Sequence, residues 1–153
     1  MQDASYDQDI LAWSNRQAEL LRRLARGERV NGIDWAHVVE EIEDVGLSEL
    51  NAVRSLLRQM MVHLLKCALW PAHDAVRHWR EEIVAFQSDA EQRLAPSMRQ
   101  RIDLDRLYQA AARQVAAADL GTMPRSPPST CPWSLDALLR GDVAALASVP
   151  PGP

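Results

Sequence analysis

Apolar residues recur every three or four positions along most of the chain, and no segment alternates with a period of two, so the pattern predicts helices and no strands. A first helix is expected from Tyr6 to Arg26. Ser5 with Gln8 three residues later resembles a capping box, Asp7 and Asp9 suit a helix N-terminus, and Gly27 stops the helix. Asp34 is a natural N-cap for a short second helix from Trp35 to Val45, ended by Gly46, with Trp35, Val38, Val39, Ile42 and Val45 as its buried arc. Ser48 then caps a third helix that runs to Trp70, where Pro71 forbids continuation. A rotation of about 100° per residue gathers Leu50, Val53, Leu56, Leu57, Met60, Met61, Leu64, Leu65, Cys67 and Ala68 on a wide arc. An arc that wide has neighbours on more than one side, which makes this the central helix.

The fourth helix is expected from His73 to Leu94, with Val76, Trp79, Ile83, Phe86 and Ala90 turned inward. Ala95-Pro96-Ser97 breaks the chain. A fifth helical region begins near Ser97, is renewed at Asp103, and buries Leu104, Leu107, Ala111, Val115 and Ala118. From Met123 onward the character changes, because seven of the nine prolines lie there, and one short helix from Ser134 to Arg140 is expected beside Trp133. The expected architecture is all-α: a single-domain bundle of about five main helices over residues 1–122, and a proline-rich tail over 123–153 that carries the short helix and is packed on the bundle or partly mobile.

A chain of 153 residues buries about two thirds of its unfolded surface in one core and needs no metal or disulfide to fold. Cys67 and Cys131 form neither a ligand pair nor a disulfide framework, which fits a reducing compartment. The start, Met1 to Asp7, lacks the basic and apolar regions of a signal peptide, and the apolar runs fall short of a membrane span, so a cytoplasmic protein is expected. The net charge of −4 argues against a general grip on nucleic acid. Charge is uneven, however. Between Arg29 and Arg54 lie Asp34, Glu40, Glu41, Glu43, Asp44 and Glu49 without a single basic residue.

Phosphate-binding glycine loops, His-Glu-x-x-His, Cys-x-x-Cys, Gly-x-Ser-x-Gly and the Glu-x-x-His of di-iron bundles are all absent, and no cofactor or metal site is expected. Two groupings remain. His37, Glu40, Glu41 and Asp44 have the helical spacing of a divalent-cation cluster, although a solvated acidic face is the commoner meaning of such a run. A turn at Gly46 would set Glu40 level with Arg54 and Glu43 level with Asn51, so the acids should pair with Arg54 and Arg58, leaving His63 ~13 Å further along. The second grouping surrounds the Pro71 corner. His63 and Lys66 are its candidate catalytic residues, with Asp74, His78 and Trp79 as a ligand or partner surface. Lys66 is conspicuous because the other sixteen of the seventeen basic residues are arginines, and lysine alone changes pKa readily on burial. Its expected neighbours across the corner are Asp74, Val76 and Arg77.

Tyr6-Asp7 with Asp9 and Trp13, Glu40 to Gly46 followed by Ser48-Glu49, His63-Leu64-Leu65-Lys66 with Trp70-Pro71, Trp79, and Cys131-Pro132-Trp133 together resemble the bacterial domain-of-unknown-function family twenty-nine. The resemblance implies an all-helical bacterial protein and carries no catalytic assignments. Its motif positions here are Glu40, Glu43, Gly46, His63, Lys66 and Trp79, of which Glu40, Glu43 and Gly46, with Arg54, read as structural. Cys67 stands where an aromatic residue is more usual.

The leading functional expectation is a non-enzymatic interaction or regulatory module, binding a protein partner or a second copy of itself. The alternatives are a metal-assisted or acid–base hydrolase at the His63 and Lys66 corner, and a nucleic-acid-linked, antitoxin-like partner using arginine patches such as Arg22, Arg23, Arg26 and Arg29 or Arg93, Arg99, Arg101 and Arg106.

Overall fold

The structure, a computed structural model, describes residues 5–149 and residue 152. Met1 to Ala4, in the acidic start, and Pro150, Pro151 and Pro153 of the tail lie outside the described residues. Within them every regular element is helical: α1 (Ser5–Gln8), α2 (Ile10–Ala25), α3 (Trp35–Leu69), α4 (Val76–Arg93), a 3-10 turn (Pro96–Arg101), α5 (Leu104–Ala116), α6 (Leu135–Arg140) and α7 (Val143–Leu146). The fold is all-α, as the periodicity predicts. By density of contacts the chain divides into two compact units, Met1–Ser48 and Glu49–Pro153.

α3 departs most from expectation. The predicted second and third helices are one uninterrupted helix, with Gly46 and Ser48 inside it. Glycine ends a helix where the chain adopts the left-handed conformation, and the glycines with positive φ are Gly27, Gly32 and Gly121. At Gly46 the helical backbone continues, so the surrounding amides and carbonyls keep their partners instead of being orphaned on both sides of a turn. The expected hairpin is therefore absent, and with it the pairing of the acidic run with Arg54 and Arg58. Arg54 donates to Asn51 Oδ1 (3.1 Å) and to the Arg101 carbonyl (2.5 Å).

In the first unit, the expected long helix is divided at Asp9, whose Oδ1 accepts from the Ala12 amide at 3.0 Å and so caps α2. α2 ends at Gly27, whose φ of 83° lets the Gly27 and Glu28 amides turn back onto the Leu24 and Arg23 carbonyls. The interior here is small and polar: Trp13, Gln17, Asp34 and Val38 are its buried residues. Asp34 Oδ2 accepts from Trp13 Nε1 at 3.3 Å and lies 2.6 Å from His37 Nδ1, while the Asp34 amide donates to Gln17 Oε1 at 2.9 Å. Tyr6 stacks on His37 with ring centroids 3.8 Å apart and meets Trp13 edge-on at 4.9 Å. The hydrogen bond to Asp34 raises the His37 pKa above its ordinary 6.5, with the charges of Asp34, Glu40 and Asp7 acting the same way and desolvation opposing them.

The second unit has the large apolar core. Val53, Leu57, Met60, Met61, Val62, Leu64, Leu65, Cys67 and Leu69 of α3 are buried, with Trp79, Ile83 and Ala90 of α4 and Tyr108, Ala111 and Val115 of α5. Val62 and Leu69 extend the buried surface of α3 beyond the expected arc. Asp103 Oδ1 caps α5 through the Arg106 amide at 3.0 Å, as the sequence indicates. The tail joins the same core through Trp133, Leu138, Leu139, Leu146 and Val149. It also contains α7, which the sequence reading missed: a four-residue helix has too few positions to display a period, and only its cap, Asp142 accepting from Ala145, signals it. Cys67 and Cys131 are free thiols, and burial pushes both pKa values up.

Two outcomes follow from these arrangements. With its folded pKa raised, His37 contributes its stabilisation in full below pH 6.5 and loses it as the pH rises through the folded value. The NMR titration midpoint of His37 will lie above 6.5, and the decline in urea-unfolding stability above that pH will be shallower in His37→Gln; a midpoint at or below 6.5 contradicts the pairing. Gly46→Ala will stabilise the protein by about 0.5–1 kcal/mol, because the position is helical and an added Cβ meets nothing within 4 Å. A loss of stability on thermal melting would show that the backbone turns there.

Candidate functional site

His63 is oriented by its own helix. One turn back along α3 the Gln59 carbonyl lies 2.8 Å from Nδ1, and because a carbonyl only accepts, Nδ1 carries a proton. Nε2 is 2.6 Å from Glu82 Oε2 on α4, so each ring nitrogen has a protein partner. Glu82 Oε1 lies 3.5 Å from His78 Nε2, and the His63 ring meets Phe86 edge-on at 5.4 Å. A single carboxylate thus stands between two histidines. Both nitrogens of His63 are engaged by groups of the protein itself.

Lys66 lies one turn further along α3, with Nζ 5.6 Å from the centroid of the Trp79 ring. Trp79 is buried, and His73 from the corner stacks on it at 4.9 Å with an interplanar angle of 22°. Asp74 is exposed on the turn. The structure therefore gathers His63, Lys66, His78 and Trp79 at the corner as expected, but one helical turn out of the expected register. Lys66 faces Trp79 rather than Val76 or Arg77, and His63 faces Glu82 rather than His78 and Trp79. The cause is the corner itself. The turn after Pro71 takes up His73 to Ala75, so α4 begins at Val76 instead of His73. Glu82 and His73 were the residues missed, and the i, i+4 spacing of His78 and Glu82 was the available signal.

The first unit presents a different surface. Trp35, Val39, Ile42 and Val45, read from sequence as a buried arc with Val38, are 55%, 50%, 67% and 69% exposed, and Val38 alone is buried. Their positions along α3 place them on one stripe, with Glu41 and Glu43 at its two edges and Glu40 and Asp44 on the rest of the circumference. Glu41 Oε1 accepts from the Tyr6 hydroxyl at 2.7 Å, and that hydrogen bond, with the negative charge around it, pushes the Tyr6 pKa up to about 12. Ile10 and Leu11 of α2 are also exposed. Among the described residues no three His, Cys, Asp or Glu side chains come together to hold a metal ion, so the spacing of His37, Glu40, Glu41 and Asp44 does not build a cation site. Among the described residues no helix is long and apolar enough to cross a membrane.

The chain matches none of the curated proteins. It is similar to an alpha-helical protein of unknown function from Rhodospirillum rubrum, known from a crystal structure, with a TM-score of 0.71 and 28% identity over 96% of this chain and 98% of that one. Residues 5–143 match the family described as domain of unknown function DUF29, and the chain belongs to that family.

Proposed function

We propose that this chain is a non-enzymatic interaction module of the bacterial cytoplasm whose first unit receives an amphipathic helix with basic flanks from a partner protein. The observation that carries the reading is the exposed stripe of Trp35, Val39, Ile42 and Val45. Large apolar side chains left side by side in water at helical spacing mark a surface that another helix covers, with anchors at i, i+4 and i+7. The charge around the stripe selects the partner. The first unit carries ten acidic and five basic residues, a net of −5, and no basic residue lies between Arg29 and Arg54. Two copies meeting through this stripe would set acid against acid, whereas arginine or lysine flanks on a partner helix complement it and speed the encounter. The fully engaged nitrogens of His63 place the acid–base reading behind this one, and the negative net charge does the same for nucleic acid.

A synthetic amphipathic helix with a leucine face and arginine flanks is the probe. Titrated into the full chain, it will bind saturably and shift the emission of Trp35 to the blue, and Val39→Ser and Ile42→Ser will each weaken it by about tenfold while leaving the circular dichroism unchanged. The same peptide with glutamate flanks will not bind. Absence of saturation, or equal binding of both peptides, refutes the reading. Concentration-dependent dimerisation abolished by Ile42→Ser would replace the partner helix with a second copy of the chain.

A further inference from the structure

On the second unit, away from the His63 corner, a cavity of about 330 Å³ is lined by Arg54, Asp103, Arg106, Leu107, Ala110 and Arg113. We propose that this cavity binds a small phosphate monoester, with Arg54, Arg106 and Arg113 holding the phosphoryl group. Arg106 and Arg113 are two turns apart on α5 and so share a face, with Leu107 and the small Ala110 as the floor between them. Arg54 comes from α3 and is held in place by its hydrogen bonds to Asn51 and to the Arg101 carbonyl, which positions its guanidinium before any ligand arrives.

Neither Arg106 nor Arg113 takes part in the ion pairs among the described residues, in contrast to Arg23, Arg93, Arg99 and Arg140, each of which has a carboxylate within 3.4 Å. The lining thus holds three positive charges and one negative, Asp103, a net of +2. Asp103 is already committed through Oδ1 to the Arg106 amide. Like charges around one concavity raise the local potential, and the species that relieves it most is a dianion. A phosphoryl group supplies two charges and three terminal oxygens, matched in number by three guanidinium forks. The cavity lies at the small end of ligand sites, and the chain as a whole carries −4, so the fit is to a small ester and not to a polyanion.

Calorimetric titration of the full chain with glycerol 3-phosphate, and separately with inorganic phosphate, tests the site at fixed ionic strength. One-to-one binding is expected with both, tighter at pH 7.5 than at pH 5 because the second proton of a phosphate monoester leaves near about pH 6. Arg106→Gln and Arg113→Gln will each weaken binding by about tenfold or more, and Arg22→Gln, an exposed arginine of the first unit, will leave it unchanged. Both cavity arginines that are replaced are exposed, so the variants fold, which circular dichroism checks. Lack of saturable binding, or binding that survives both substitutions, overturns the proposal. So does a single-stranded or duplex oligonucleotide that binds through Arg106 and Arg113 more tightly than either phosphate, which would make the cavity part of a nucleic-acid surface.

Discussion

A segment rich in proline has carbonyls to satisfy and few amides to offer, and the second unit is organised around meeting that demand. The tail cannot extend a ladder of backbone hydrogen bonds, so side chains of the helices and of the tail itself reach its oxygens. Tyr108 donates to the Pro128 carbonyl at 2.7 Å and Gln109 to that of Ser129 at 2.8 Å. Gln87 serves both the Leu138 and Gly141 carbonyls, Trp133 Nε1 serves that of Leu146, and Arg125 serves both Val149 and Ala68. Ala68 belongs to the last turn of α3, where carbonyls have no helical partner, so one guanidinium closes the helix and fastens the tail. Each such bond contributes about 1 kcal/mol net. Their larger effect is to give carbonyls close to the buried Trp133, Leu138 and Leu139 a donor.

The first unit solves a different problem. Its few buried residues include two polar ones: Gln17, whose Oε1 accepts from the Asp34 amide, and Asp34, whose carboxylate meets Trp13 and His37. Such an interior gains specificity of geometry more than hydrophobic free energy, and of the apolar stripe on the first turns of α3 it covers only Val38. The other apolar residues of that stripe, Trp35, Val39, Ile42 and Val45, remain in water. The same economy of core that leaves this unit polar within leaves it apolar without, and the docking surface follows from it.

Helix existence was legible in the sequence, because the apolar period of α2, α4 and α5 and the caps at Asp103 and Ser134 are local signals read by local physics. Three things were not. Gly46 has the composition of a helix stop, but whether it adopts a left-handed backbone is decided by what lies on either side of it. The register at the Pro71 corner hung on how many residues the turn absorbs, and three residues moved every cross-corner contact by a helical turn. Trp35, Val39, Ile42 and Val45 show a stripe of the right period, yet a period marks a face without saying whether anything covers it. The candidate residues His63, Lys66 and Trp79 were thus found by type and neighbourhood, while their partners Glu82 and His73 required coordinates.

The reach of Arg125 to Val149 also orders events during synthesis. A ribosome delivers the chain from its N-terminus, and the hydrogen bonds that link Tyr6 to Glu41 and Asp34 to Trp13 and His37 close within the first unit. The second unit has no such early closure. Val149 is part of its core, and the carbonyls that Trp133 and Arg125 bind come from Leu146 and Val149, so α3, α4 and α5 emerge with apolar surface that stays uncovered until the last turns of the tail have left the exit tunnel.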